Sequence, residues 1–261
     1  MPPVGQGGQS QLNAAWIGSL LAPAAEIMRA YPKWSKTDRA QVVTLFKTKF
    51  YPILNQMSFY NGNNDLTQIE ALMSMAVFNE DKAEFQLGLE RIKGRAPAYF
   101  YLTSDKADVK DYGGSDASKW DSPLQWVDGL SQESCRDHGH HAQFGLAAAL
   151  HAAEIAWNQG VDVYGENATR YIAALELMAG ELLKGEARFA TLCPASKTGH
   201  DKTRKDDFFD TWQVGYNHYH NRMHQPLPNT GELIRAKITS GGRSDWNIFY
   251  ETFTHNIQSD K

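Results

Sequence analysis

The stretch "HAQFGLAAALHAAEIAW", residues 141 to 157, decides the fold class. Wound at about 3.6 residues per turn, it is apolar around nearly its whole circumference, with small alanines through its middle. Such a helix is buried on all sides and approached closely by its neighbours, so the rest of the chain must supply helices to surround it.

Those helices are legible on both sides of it. One is expected over roughly 12 to 30, ending before Tyr31-Pro32, because the residue before a proline is pushed out of the α region. Ser35, with Asp38 three residues on, makes a capping-box start for a second through "RAQVVTLFKTKFY". A third runs through "LTQIEALMSMAVF" with Asn63 or Asn64 as N-cap, a fourth through "DKAEFQLGLERIK", and a further one over 168 to 184. Strand-like alternation is confined to "AYFYLTS" (98 to 104). Residues 103 to 134 and 191 to 210 read as loops, and long loops in compact domains are often functional. The chain therefore reads as all-α, one domain over 1 to 261, built of antiparallel helix pairs with polar loops gathered at one end.

Composition narrows the function. With 261 residues, 42% apolar and 21% charged, the chain is ordinary globular material, and a net charge of -4 gives no whole-surface attraction to nucleic acid. No apolar run is long enough to span a bilayer, which sets a membrane partner aside. The opening "MPPVGQGGQSQ" is no signal peptide, and a leading Met on a trimmed mature chain leaves export open. Cys135 and Cys193, the two cysteines, permit one bridge, with two buried free thiols as the plainer expectation. No Gly-rich phosphate loop or nucleophile elbow occurs.

Polar residues crowd into "NGNND" (61 to 65), "CRDHGHH" (135 to 141) and "YNHYHNR" (216 to 222). Six of the nine histidines lie in or beside the last two: His138, His140, His141, His218, His220 and His224. A metal reading has little to stand on. No H-E-x-x-H helix is present, His140 and His141 would face different sides of a helix, and Pro226 and Pro228 limit the His220–His224 pair. No metal or other cofactor is expected. The inventory Asn, His, Arg and Tyr suits a different reaction, β-elimination on a uronate polymer. There the proton α to a charged carboxylate must be removed, so donors must stabilise the aci-carboxylate while a base and an acid move protons. Carboxylate pairs of the glycosidase kind are missing from these clusters.

The blocks "NGNNDLTQIEALMSMAVFNED", "ESCRDHGHHAQFGLAAALHAAEIAWNQGVDVYGEN" and "YNHYHNRMHQPLPNT" resemble the recurring blocks of the alginate lyase family of polysaccharide lyases, in order and approximate spacing. The resemblance implies an (α/α) toroid, here compact or incomplete; an open horseshoe would put the missing helices before residue 1. It also implies β-elimination on mannuronate-rich alginate or glucuronan, no cofactor, and a secreted or periplasmic setting with an anionic polysaccharide as partner. By the same resemblance Asn63 neutralises the substrate carboxylate, His140 assists as donor or base, and Tyr216 or Tyr219 transfers the proton with Arg222 near it. Arg136, His138, His141, Asn64 and His218 fall to substrate binding. Position 64 is Asn where the family pattern commonly has Trp, and "HGHHAQFG" offers three histidines where one or two are expected, so the choice between His140 and His141 is open.

Blander roles compete. Asn63 and Asn64 suit helix capping, His151 suits a satisfied core histidine, and Tyr164 suits packing. His200 and His255 suit the surface. Trp120 and Trp126 either stack on sugar rings or cover the rim. Lys197, Lys202, Arg204 and Lys205 are interleaved with Asp201, Asp206 and Asp207, as in a solvated loop. "NAT" at 167 to 169 is a glycosylation sequon. A His-based metal hydrolase and a non-catalytic glycan-binding relative are the remaining alternatives.

Overall fold

A computed structural model describes residues 8–58, 61–105, 112, 117–137, 139–184, 191–194, 208–239, 242–245 and 250–255. The fold is all-α. Among the described residues extended pairing is limited to single bridges, Phe100 with Ser131 and Phe209 with Arg243. The helices that position the site are α1 (Gly8–Met28), α2 (Lys36–Leu45), α3 (Gly62–Asn79), α4 (Lys82–Tyr99), α5 (His141–Asn158), α6 (Ala168–Lys184), α7 (Gln213–Tyr216), α8 (Pro228–Leu233) and α9 (Glu251–His255).

The central element is α3, which packs on α1, α4 and α5. It divides the core into two parts. Leu66, Ile69 and Met73 join a cluster with α4, α5 and α6, while Ala71, Leu72, Met75 and Phe78 join one with α1, α2 and the turns after it. The alanines of α5 are fully buried, as an apolar circumference demands. Packing of successive helices against one another is compatible with a toroid.

Local chemistry explains the boundaries. Ser35 and Asp38 form the reciprocal capping box. The cap of α3 is Asn61, whose extended backbone (φ -159°) lets its side chain accept from the Asn64 N–H; Asn63 and Asn64, expected there, lie inside the first turn. Between α3 and α4 the chain turns through Glu80 at φ 55°, and Asp81 caps the next helix through the Glu84 N–H. The strand-like alternation over 98 to 104 does not become a strand: α4 continues through Pro97 to Tyr99, and only then does Phe100 become extended. Three described segments widen to π geometry, Phe46–Phe50 after α2, Asn217–Arg222 after α7 and Ile234–Ile238 after α8.

The two cysteines are joined, Cys135 to Cys193, with Cα atoms 5.2 Å apart. This corrects the expectation of free thiols. Both sulfurs lie in a small apolar cluster with Leu192, which holds the Ser134–Asp137 turn against the 191–194 segment.

Candidate active site

Two helix N-termini converge on the turn Ser134–Asp137. On one side stands α3: the Gly62 N–H donates to Gln132 Oε1 at 2.6 Å, and Asn63 Nδ2 donates to Glu133 Oε1 at 2.8 Å. On the other stands α5, whose N-cap His140 makes no capping bond through its side chain. Each helix end directs the positive end of its dipole toward the turn.

Glu133, in the 131–133 segment before that turn, is the node. It is almost fully buried and accepts from Asn63, from the Tyr99 hydroxyl at 2.7 Å, and from Arg136. A buried carboxylate needs such donors to offset its lost hydration. Tyr99 is held in register by two glycines: a Cβ on Gly62 would fall 2.1 Å from its ring, and one on Gly145 would fall 2.1 Å from its hydroxyl oxygen. Burial first, then the Glu133 charge, push the Tyr99 hydroxyl well above the ordinary tyrosine value, so it stays a donor. Behind it, Asp65 is ion-paired with both Arg91 and Arg95, which anchors α3 to α4.

Arg136 and His141 are what this floor presents outward. Their side chains are 35% and 33% exposed, against 5% for the His140 residue. His141 Nδ1 lies 2.6 Å from Asp137 Oδ2. An ionised carboxylate only accepts, so Nδ1 carries the hydrogen, and in the neutral ring the lone pair is then on Nε2. This pair has the geometry of a base with its orienting acid. His140 instead packs edge-on against Phe144 (4.9 Å), Phe209 (5.3 Å) and His141 (4.8 Å), which separates the two histidines that the sequence left undivided.

The "YNHYHNR" block lies elsewhere. Glu154, thirteen residues after His141 on α5, takes a bidentate pair from Arg222 at 2.8 and 2.9 Å. At 1.5 Å per residue that is roughly 20 Å from the Asn63–Arg136 cluster, so the constellation expected from sequence does not converge in one site. Tyr219 is buried and its hydroxyl donates to the Tyr164 carbonyl at 2.9 Å. Burial pushes that hydroxyl far above its ordinary value. A group in this setting is a packing element, which corrects the proton-transfer role. His218 stacks on Tyr164 at 3.7 Å, and burial, then Arg222, lower its pKa and so favour its neutral form. Tyr216 stacks on His220 at 4.6 Å and faces Gly231, away from the Asn63 cluster. An open groove of about 480 Å³ runs beside His218 and Tyr219, lined also by Asp162, Thr169, Glu176 and Met223.

Other expectations resolve individually. Asn63 and Asn64 are both buried, the first on Glu133. Trp120 is 1% exposed between Tyr101 and Trp126, so it covers the rim and has no free face for a sugar; Trp126 is half-buried. His151 is a satisfied core histidine, its two nitrogens facing Glu70 at 3.0 Å and Glu251 at 2.6 Å. Tyr164 is a packing residue bonded to Leu150 O and Glu154. Asn167 of the sequon donates to the Val163 carbonyl from a buried position. His138, His200 and the Lys197–Lys205 tract lie outside the described residues. Among the described residues no three His, Cys, Asp or Glu side chains gather as a metal site requires, and no helix is long and apolar enough to cross a membrane.

Sequence reasoning gave no role to Glu133, Tyr99 or Asp137. The first and last stand inside the quoted "ESCRDHGHH" block, but nothing local marks a glutamate as the buried partner of Asn63. No family profile, no curated protein and no solved structure matches the chain.

Proposed function

We propose that the chain is a lyase that cleaves a uronic-acid polymer by β-elimination at the Arg136–His141 site. The observation that carries this reading is the His141–Asp137 pair set beside Arg136 where the N-termini of α3 and α5 converge. Arg136 and the positive end of the α5 dipole would hold the sugar carboxylate and gain strength as it becomes the aci-carboxylate. His141 Nε2 would take the proton on C5. The electrons of that C–H bond form the C4–C5 double bond, and the C4–O bond breaks toward the leaving sugar.

In mannuronate and glucuronate H5 and O4 lie on one face of the ring, so the imidazolium just formed can return its proton to the leaving oxygen. One histidine then serves as base and acid. This favours mannuronate-rich alginate or glucuronan over guluronate, whose H5 and O4 lie on opposite faces. The resemblance noted in the three sequence blocks supports the same reaction class. The Cys135–Cys193 bridge supports an oxidising setting, secreted or periplasmic.

The test is formation of the unsaturated uronate, followed by its ultraviolet absorbance on polymannuronate, polyguluronate and glucuronan. Product on the first or third, abolished by His141→Ala, is the expected result. Absence of absorbance on all three overturns the reading.

A further inference from the structure

Helix α1 is apolar on both of its faces. One face packs on α3, where Ala15, Gly18 and Ala22 are buried and a Cβ on Gly18 would fall 2.5 Å from the Met75 methyl carbon. The opposite face is exposed and carries Ile17, Leu20, Leu21, Ala24, Ile27 and Met28. These recur at steps of three and four residues, which is one stripe of a helix. Tyr31, exposed in the turn beyond, follows at the next step, and Ile27 is 76% exposed. No charged residue occurs from Gly8 to Ala25, and the first two after it, Glu26 and Arg29, pair with each other at 2.9 Å. A helix apolar all round belongs inside a protein, so a continuous stripe of this kind left in water marks a contact surface.

We infer that α1 pairs antiparallel with α1 of a second copy of this chain, about a two-fold axis through Ala24. The inference is independent of the reaction proposed above. A two-fold contact pairs residue i with j and j with i, and the stripe is complementary to itself in that one register. With Ala24 facing the partner's Ala24, Leu21 meets the partner's Ile27, Leu20 the partner's Met28 and Ile17 the partner's Tyr31, so each exposed apolar side chain finds another. The small residue at the axis lets the two helices close to the usual packing distance, about 8–10 Å. No like charges are set opposite one another, since Glu26 falls toward the partner's Ala22. The stripe runs about 30 Å along α1. Beside it a groove of about 360 Å³, walled by Pro23, Val77 and Ile155, admits the flank of the partner helix. Stripe and groove together offer an area on the order of 800 Å², what each partner gives to a stable interface. Arg29, the cation at the edge, is held by Glu26 and by the Phe78 carbonyl, so the face offers little to an anionic polymer or an anionic headgroup.

The experiment uses the full chain in sedimentation velocity from about 1 to 100 µM, a range in which an interface of this size associates. Wild type is expected to sediment at twice the monomer mass. A24R sets two guanidinium groups face to face at the axis and is expected to weaken the dimer at least about tenfold, with helical circular dichroism unchanged. A24C gives a chain whose free thiol lies at the axis, because Cys135 and Cys193 are bridged to each other. Mild oxidation is expected to join it into a covalent dimer faster than K93C, whose thiol is exposed on α4 away from the stripe. This crosslink decides the matter even if A24R fails to fold. Wild type that stays monomeric at the highest concentration overturns the inference, and its binding to phosphatidylcholine vesicles would then make the stripe a lipid contact. A dimer that survives A24R, or an A24C chain that crosslinks no faster than K93C, also overturns it, because the copies would then meet through another face.

Discussion

Beside the N-terminal end of α5, Arg136 of the preceding turn and His141 lie partly in solvent above the buried Glu133; toward its C-terminal end Tyr164, His218 and Tyr219 close over one another and Arg222 is held by Glu154. The same residue types, His, Tyr, Arg and a carboxylate, occur at both ends. The difference lies in where the donors point. At the first end the carboxylate is buried beneath the cation, and Arg136 keeps further N–H groups for a ligand. At the second, the bidentate Arg222–Glu154 pair uses two N–H groups on the protein itself, and the tyrosine hydroxyls donate inward. Composition thus names the chemistry available, and burial decides which copy of it can meet a substrate.

The largest effect that can break this comparison is on turnover. His141→Ala is expected to lower kcat/KM about 10³-fold, the scale of a lost general base, with little change in melting temperature because the ring is partly exposed. Arg222→Ala at the other end leaves turnover within a few-fold. If the two variants exchanged phenotypes in a product-absorbance assay, the active end of α5 would have been misassigned.

Next is the disulfide, which pins only the first end. A bridge across 58 residues of sequence separation contributes about 4 kcal/mol on the chain-entropy account. Cys135→Ser with Cys193→Ser is expected to lower the denaturation midpoint accordingly. In partly denaturing conditions turnover should fail before helix content does, since Cys135 directly precedes Arg136. Simultaneous loss of circular dichroism and activity would count against a local role.

Between the two ends lies His151. Burial would lower its pKa, but the Glu70 and Glu251 carboxylates more than reverse this and raise it well above the ordinary histidine value. The sign follows from proton uptake: the folded state keeps a proton that the unfolded chain loses near pH 6.5. This contribution is therefore complete below about pH 6.5 and declines as pH rises toward the raised native value. His151→Gln leaves two buried carboxylates facing a neutral side chain and is expected to cost about 3 kcal/mol at pH 6. The deficit relative to wild type should shrink as pH increases, measured by urea unfolding across pH 6 to 9; a deficit that grows with pH contradicts the charged assignment.

How far the sequence carried can be judged from single residues. Helix existence was legible because the 141–157 pattern and the Ser35–Asp38 box are local signals, and both formed as read. The cap of α3 was off by two or three positions because Asn61, Asn63 and Asn64 all have a capping side chain; the extended backbone at Asn61 decides among them. "AYFYLTS" alternates like a strand, yet Tyr99 closes a helix because Gly62 and Gly145 make room for its ring against α3 and α5. In the site, Asn63, Arg136 and His141 were legible as residue types that suit one reaction. That Tyr219 and Arg222 stand about 20 Å away was not, since order along the chain carries no information on which end of a long buried helix a later block will meet. Glu133 and Tyr99 escaped notice because their importance lies in a contact across 34 residues.

The smallest effect sharpens the comparison most directly. Tyr219→Phe removes the hydroxyl that donates to the Tyr164 carbonyl at 2.9 Å and changes nothing else in size. The carbonyl is left without that donor in a buried place, so the expected cost is about 1 kcal/mol of stability. Turnover is expected to stay at the wild-type level, because the hydroxyl faces the interior, where it donates to the Tyr164 carbonyl and burial raises its pKa. The same substitution in a tyrosine that moves the reacting proton would leave stability nearly untouched and remove turnover. One variant with two readouts therefore tells a packing tyrosine from a catalytic one, and a loss of kcat with unchanged urea midpoint would return the active site to the "YNHYHNR" end of α5.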